Sequence, residues 1–136
     1  MFSIAAIKGK INRSGISFQK TFLWKNRPKE FSDEKAINLL LGKEESIIVF
    51  FIKSENYKWI MTNKRLFIPD EMITIFLKDI IEVDFDNLKE NPEQKLTNTI
   101  LNIHTKERKY FIYLEDRTWH LFYDIFNFII INNKKK

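Results

Sequence analysis

Tyr57-Lys58-Trp59-Ile60-Met61-Thr62-Asn63-Lys64-Arg65-Leu66-Phe67-Ile68 decides how this chain folds. Tyr57, Trp59 and Met61 alternate with Lys58, Ile60 and Thr62, the two-residue period of a strand whose sides meet different surroundings. Asn63 tolerates left-handed backbone and, with Lys64, supplies turn chemistry. Arg65 to Ile68 then resumes extended. The stretch predicts two short strands joined by a tight Thr-Asn-Lys-Arg turn.

More strands lie on either side. Ile47 to Ile52 is an unbroken run of Ile, Val and Phe of strand length, closed by the polar turn Lys53-Ser54-Glu55-Asn56. Pro69-Asp70-Glu71 breaks the Arg65–Ile68 strand, and Met72 to Phe76 begins another. Ile80 to Phe85 alternates, which predicts Ile81, Val83 and Phe85 inward and Glu82, Asp84 and Asp86 outward. Asn87 to Lys95 reads as a charged loop. Thr97 to His104 and Lys109 to Leu114 read as a hairpin around Thr105-Lys106-Glu107-Arg108. About seven short strands with short connections make an antiparallel meander.

Two helices are expected. Ser32 can cap a short one over 33–41, with Asp33 and Glu34 in its first turn and Gly42 just beyond. Asp116 can cap a longer one over 117–131. Its polar residues Arg117, His120, Asp124 and Asn127 form a single stripe. The remaining arc is apolar and wider than one sheet face needs. Part of it is expected to cover the N-terminal arm or a second subunit. Leu121, Ile125 and Phe128 are the candidate protein interface on that arc.

The chain of 136 residues fits one domain with a sizeable core, given 44% hydrophobic residues and 13 Phe. Its net charge of +5 is unevenly spread. Residues 1–29 hold seven Lys/Arg and no acid, residues 134–136 are three lysines, and the body between carries a net −5. The division expected is a basic arm over 1–30, a globular domain over 31–133 and a basic tail over 134–136. The arm has no sustained period; Phe18, Phe22 and Trp24 alternate weakly over 16–24. It suits docking on the acidic body, and also an anionic membrane surface; nucleic acid is not favoured.

With no cysteine, disulfides and thiolate metal sites are excluded. No apolar run reaches the 20 or so residues of a membrane span, and Phe2 to Ile7 is short for a secretory signal. The expectation is a cytoplasmic protein, at most peripheral to a membrane. No phosphate-binding loop, dinucleotide fingerprint or nucleophile elbow occurs. The two histidines, His104 and His120, read as solvated or hydrogen-bonded, and Asp84 and Asp86 as a solvated strand edge. No enzyme activity, metal or cofactor is expected.

Leu40-Leu41-Gly42-Lys43-Glu44-Glu45-Ser46-Ile47, Trp59-Ile60-Met61-Thr62-Asn63-Lys64-Arg65-Leu66 and Ile75-Phe76-Leu77-Lys78-Asp79-Ile80-Ile81-Glu82-Val83 together resemble bacterial pleckstrin-homology-like (PH-like, or GRAM-like) domains. In these a "T-N-K-R-L" turn and an "I-x-x-V" strand recur. The resemblance covers about residues 33–131. It implies a mainly β, α+β fold: a bent antiparallel sheet or partly open barrel of about seven strands, capped by a C-terminal helix. It implies a non-enzymatic module for protein binding or self-association. Relatives that bind lipid headgroups do so with basic residues around the first strand pair. Lys53 and Lys58, with Lys64 and Arg65 at the next turn, are therefore the candidate anion- or lipid-binding residues. Glu55 between the first two departs from a dense basic pocket. A third expectation is a small neutralising, immunity-type partner that uses Glu82, Asp84 and Asp86 against a basic protein.

Overall fold

In the computed structural model, residues 3–27, 41–85 and 100–135 are described. The chain begins with helix α1 (Ile4–Arg13), followed by β1 (Thr21–Leu23). The meander follows as β2 (Ile47–Ser54), β3 (Tyr57–Thr62), β4 (Arg65–Ile68), β5 (Ile73–Phe76), β6 (Ile80–Asp84), β7 (Ile100–Thr105) and β8 (Lys109–Tyr113). Helix α2 (Trp119–Lys134) closes the chain. The strands form two antiparallel sheets, in the orders β1-β2-β3-β4-β5 and β6-β7-β8. The expected architecture, an open antiparallel meander with a C-terminal helix, is present. The helix expected over 33–41, like Asp86 and the 87–95 loop, lies outside the described residues, apart from Leu41.

Alternation along β3 distributes its side chains as the sequence predicts. Tyr57, Trp59 and Met61 enter the main core with Ile48, Phe51, Leu66, Ile103, Phe122 and Phe126. Ile60 points the other way, into a smaller cluster with Ile47, Phe50 and Phe67, packed by Phe22, Trp24, Leu41 and Ile52. Both faces of the larger sheet are thus dry at its centre. That explains why Ile47 to Ile52 is a continuous apolar run rather than an alternating one.

Residues 4–23, read from sequence as an aperiodic arm, are integral to this core. Ile4, Ile7 and Ile11 recur at helical spacing; Ile7 and Ile11 are buried, and Ile4 packs against the same cluster. Full burial of each is worth about 1.5–3 kcal/mol. The Ser3 hydroxyl caps α1 by accepting from the Ala6 N–H. Lys10 and Arg13 in its last turn suit the helix dipole. After the turn at Gly15, whose φ of +72° suits glycine, the chain reaches Glu115. That carboxylate accepts from the Gln19 N–H at 2.7 Å, the Lys20 N–H at 2.6 Å and the Thr21 hydroxyl at 2.9 Å. The clasp delivers β1 to the edge of β2.

Two other expectations change. Ile81 is about half exposed and Ile80 is buried, the reverse of simple alternation. The pairing with β7 shifts register between Ile80 and Glu82; a bulge re-aims the side chains on either side of it. Helix α2 starts at Trp119, not 117, and runs on to Lys134. Arg117 sits just before it with φ +69°, so the turn stops the helix from starting earlier.

The two sheets are tied at one corner by aromatic polar atoms. The Trp59 indole N–H donates to the Tyr113 carbonyl at 2.7 Å, and the Tyr57 hydroxyl accepts from the Tyr113 N–H at 3.1 Å. β3 thus satisfies both backbone groups of a residue at the end of β8 without a strand ladder between them.

Candidate functional site

The Thr-Asn-Lys-Arg turn is a latch. Arg65 Nε and Nη2 donate to the two Glu45 carboxylate oxygens at 2.8 and 3.1 Å. The Thr62 hydroxyl and the Gly42 N–H complete the shell at 2.6 and 2.8 Å. Asn63 reaches the same segment, accepting from the Ser46 N–H and donating to the Glu44 carbonyl. The Glu45 side chain is 2% exposed. Burial pushes its carboxyl up, but hydrogen bonds from Arg65, the Gly42 N–H and Thr62, with the Arg65 charge, outweigh that and hold it below the ordinary value. The motif residues that carry the sequence resemblance therefore fix the 42–46 turn onto the β3–β4 hairpin.

The four candidate anion-binding residues do not converge. Lys53 and Lys58 flank the β2–β3 turn; Lys64 and Arg65 sit at the opposite end of β3. Each also has an intramolecular partner. Lys53 lies 3.9 Å from the Tyr113 ring centroid. Lys58 pairs with Asp70 at 3.2 Å, Lys64 donates to the Lys43 carbonyl at 3.0 Å, and Arg65 holds Glu45. Of the arm cations, Lys10 pairs with Asp124 on α2 at 3.0 Å and lies over the Phe128 ring.

The candidate protein interface is largely spent inside the chain. Leu121 and Ile125 are buried in the main core. Phe128 is partly buried against it, beneath Lys10. The surplus arc of α2 is covered by α1, one of the two covers expected from the sequence.

A different face presents exposed chemistry. On the outer side of β6-β7-β8, Glu82 lies opposite His104, Asp84 opposite Asn102, Asn102 opposite Phe111, and Ile100 opposite Tyr113. His104 Nε2 lies 2.8 Å from Asp84 Oδ2, and Asn102 Nδ2 donates to Asp84 Oδ1 at 3.0 Å. Burial pushes the Asp84 carboxyl up, but bonds to Asn102 and His104, with the charges of His104 and Lys109, bring it below its usual value. Beside this polar cluster Phe111 and Ile100 are 50% and 41% exposed, and Phe111 meets Tyr113 edge-on with centroids 5.9 Å apart.

Glu82, Asp84 and His104 are, among the described residues, the one group of three potential metal-ligating side chains, with ligand atoms within 4.8 Å of one another. Zinc bonds of about 2.0–2.2 Å would require closer convergence. In the observed arrangement Asp84 and His104 satisfy each other. The expectation that Asp84 forms a plain solvated edge thus changes: it organises a cross-strand network. The sequence gives no sign of the roles of Glu45 and Glu115, because Thr62 and Arg65 for the one, and Gln19, Lys20 and Thr21 for the other, come from distant segments.

Compared with family models, curated proteins and solved structures, the chain finds no match. No helix among the described residues is long and apolar enough to cross a membrane.

Proposed function

We propose that this chain is a PH-like, non-enzymatic module that works by binding a protein, a second copy of itself included. One observation carries this reading. Six large hydrophobic side chains are exposed among the described residues, and five of them, Met72, Phe76, Ile81, Ile100 and Phe111, lie on or beside β5 to β8. Large apolar side chains left exposed favour association. Two of the basic residues offered for lipid binding, Lys58 and Arg65, are instead paired with Asp70 and Glu45 within the chain, which lowers the charge they present to a membrane.

The test compares two binding assays on the full chain. Tagged wild-type protein and the Phe76→Asp, Phe111→Asp double variant are purified from native cells, and both are sedimented with vesicles containing anionic lipid at low salt. The expected result is a stoichiometric protein, or a second copy, retained by the wild type and lost from the variant. Vesicle binding with no retained protein would overturn the reading.

A second, narrower reading has its own observation. Asp84 and exposed Phe111 flank Asn102 on the two neighbouring strands, Glu82 lies opposite His104, and the Asp84 carboxyl is held below its usual value. This combination suits a basic partner, as an immunity-type neutralising role requires. Its signature is association that weakens as salt rises, and that Asp84→Asn weakens at low salt.

A further inference from the structure

We propose that Glu82, Asp84 and His104 form a binding site for a divalent transition-metal ion of the Zn²⁺ class on the outer face of β6 and β7. The proposal is separate from the protein-binding reading and goes beyond it. Two carboxylate oxygens and one imidazole nitrogen of these side chains lie within 4.8 Å of one another. Together they make a mixed nitrogen and oxygen donor set. Imidazole suits zinc, nickel and iron, whereas magnesium and calcium take oxygen ligands, so His104 sets the class of ion.

A bulge assembles the set. Ile80 lies opposite Thr105, so unbroken antiparallel pairing would set Ile81 against His104 and Glu82 against Ile103. The register shift after Ile80 inserts one extra residue. Glu82 falls opposite His104 instead, Val83 opposite Ile103 and Asp84 opposite Asn102. Side chains two apart on a strand share a face. Glu82 and Asp84 therefore stand together beside His104, while Val83 stays buried in the core. Donors on paired strands are held more precisely than donors on loops.

The contacts already present orient one oxygen of Asp84. Asn102, only 3% exposed, donates from Nδ2 to Asp84 Oδ1 at 3.0 Å. Oδ2 is left facing His104 Nε2 at 2.8 Å. A hydrogen bond to the other oxygen of a ligating carboxylate is a usual support of its orientation. An ion about 2.0–2.2 Å from both Oδ2 and Nε2 sets them about 3.0–3.5 Å apart. Their hydrogen bond then opens by a few tenths of an ångström, and the ring carries its N–H on Nδ1. Glu82, exposed on its strand, supplies the remaining convergence by turning about its side-chain torsions. The His104 and Asp84 side chains are 27% and 43% exposed, so the ion's open position faces water. Lys109 lies opposite His104 on β8 and repels the ion, which makes the site weaker than its donor set alone would be.

Calorimetric titration of the untagged full chain with Zn²⁺ tests the site. The expected result is one ion per chain, with a dissociation constant of about 0.1 mM or tighter. Losing an outer partner of a metal ligand costs about 10–100-fold in affinity, so losing a ligand, in His104→Ala or Glu82→Gln, should weaken binding at least about tenfold. His120→Ala, which removes the other histidine, should leave binding unchanged. Ca²⁺ in about tenfold excess should not displace Zn²⁺. Glu82 is exposed, so Glu82→Gln should melt like the wild type without metal and keeps the test valid even where His104→Ala misfolds. Nitrogen NMR of the imidazole should show the His104 Nε2 signal shift as Zn²⁺ is added. No saturable binding up to about 1 mM Zn²⁺, binding unchanged in Glu82→Gln, a loss in His120→Ala as large as that in His104→Ala, or equal competition by Ca²⁺ overturns the inference. None of these results bears on the protein-binding reading, which the native-cell purification tests separately.

Discussion

Replacing Glu45 with glutamine keeps the shape of the side chain and removes its charge. In the wild type the carboxylate accepts four hydrogen bonds, two from Arg65 and one each from Thr62 and Gly42. A glutamine has one acceptor oxygen and turns an amide N–H₂ toward some of the same donors. Each hydrogen bond to a charged group is worth about 1.5–3 kcal/mol, and orphaning a buried charge costs about 3–5 kcal/mol. The Arg65 side chain is 22% exposed, so it recovers part of that loss by turning to water. The net expectation is a loss of about 3 kcal/mol, or roughly 10 °C in a chain of this size. Arg65→Met should cost a similar amount. The double variant should lose less than the sum of the two, by more than about 1 kcal/mol, because the partners act as one unit. Urea and thermal unfolding of the four proteins measure the cycle. The pH dependence follows from the lowered Glu45 carboxyl. Between its folded value and the ordinary 4.5 the unfolded chain binds more protons, so stability rises with pH across that window and is lost as pH falls through it. Glu45→Gln should flatten this component. A Glu45→Gln protein within about 0.5 kcal/mol of wild type, or an additive cycle, would refute the latch.

Three further outcomes are expected. Glu115→Ala should release the clasp on Gln19, Lys20 and Thr21, raising amide hydrogen exchange at 19–21 well above that at β3 and costing about 1–3 kcal/mol; unchanged exchange there would contradict it. Tyr57 has its phenol pushed up to about 12, chiefly by burial. Ultraviolet titration should find one tyrosine that ionises near there, with stability falling as pH rises above 10, and Tyr57→Phe should abolish that step. Ile7→Ala should destabilise by about 2–5 kcal/mol, since Ile7 is fully buried; an effect below about 0.5 kcal/mol would return α1 to a peripheral arm.

Alternation made most of the meander legible. β3, β4, β5 and the β7–β8 hairpin fall within a residue or so of the predicted segments in their described parts, because half-buried strands repeat at two residues and turns need their own chemistry. α1 was hidden because Lys8, Gly9 and Lys10 dilute the spacing of Ile4, Ile7 and Ile11. Its stability comes from packing on α2 and β2 rather than from local propensity. The outward turn of Ile81 rests on a bulge, which a single strand's pattern does not encode. The candidate site was legible in its residue types and not in its pairings. Lys58, Lys64 and Arg65 are cations in any reading, but whether a cation is available depends on Asp70, the Lys43 carbonyl and Glu45, supplied by other segments. His104 met Asp84 for the same reason, across a strand pair.

The central claim is that β5 to β8, and not the lysines of the β2–β4 turns, make the functional contact. Photo-crosslinking side chains placed singly at Phe76, Phe111, Lys58 and Lys64 in living cells test it most directly. Discrete protein adducts at 76 or 111, with none at 58 and 64, are the predicted result. Adducts confined to 58 and 64, or lipid adducts there with no protein at 76 and 111, would contradict it.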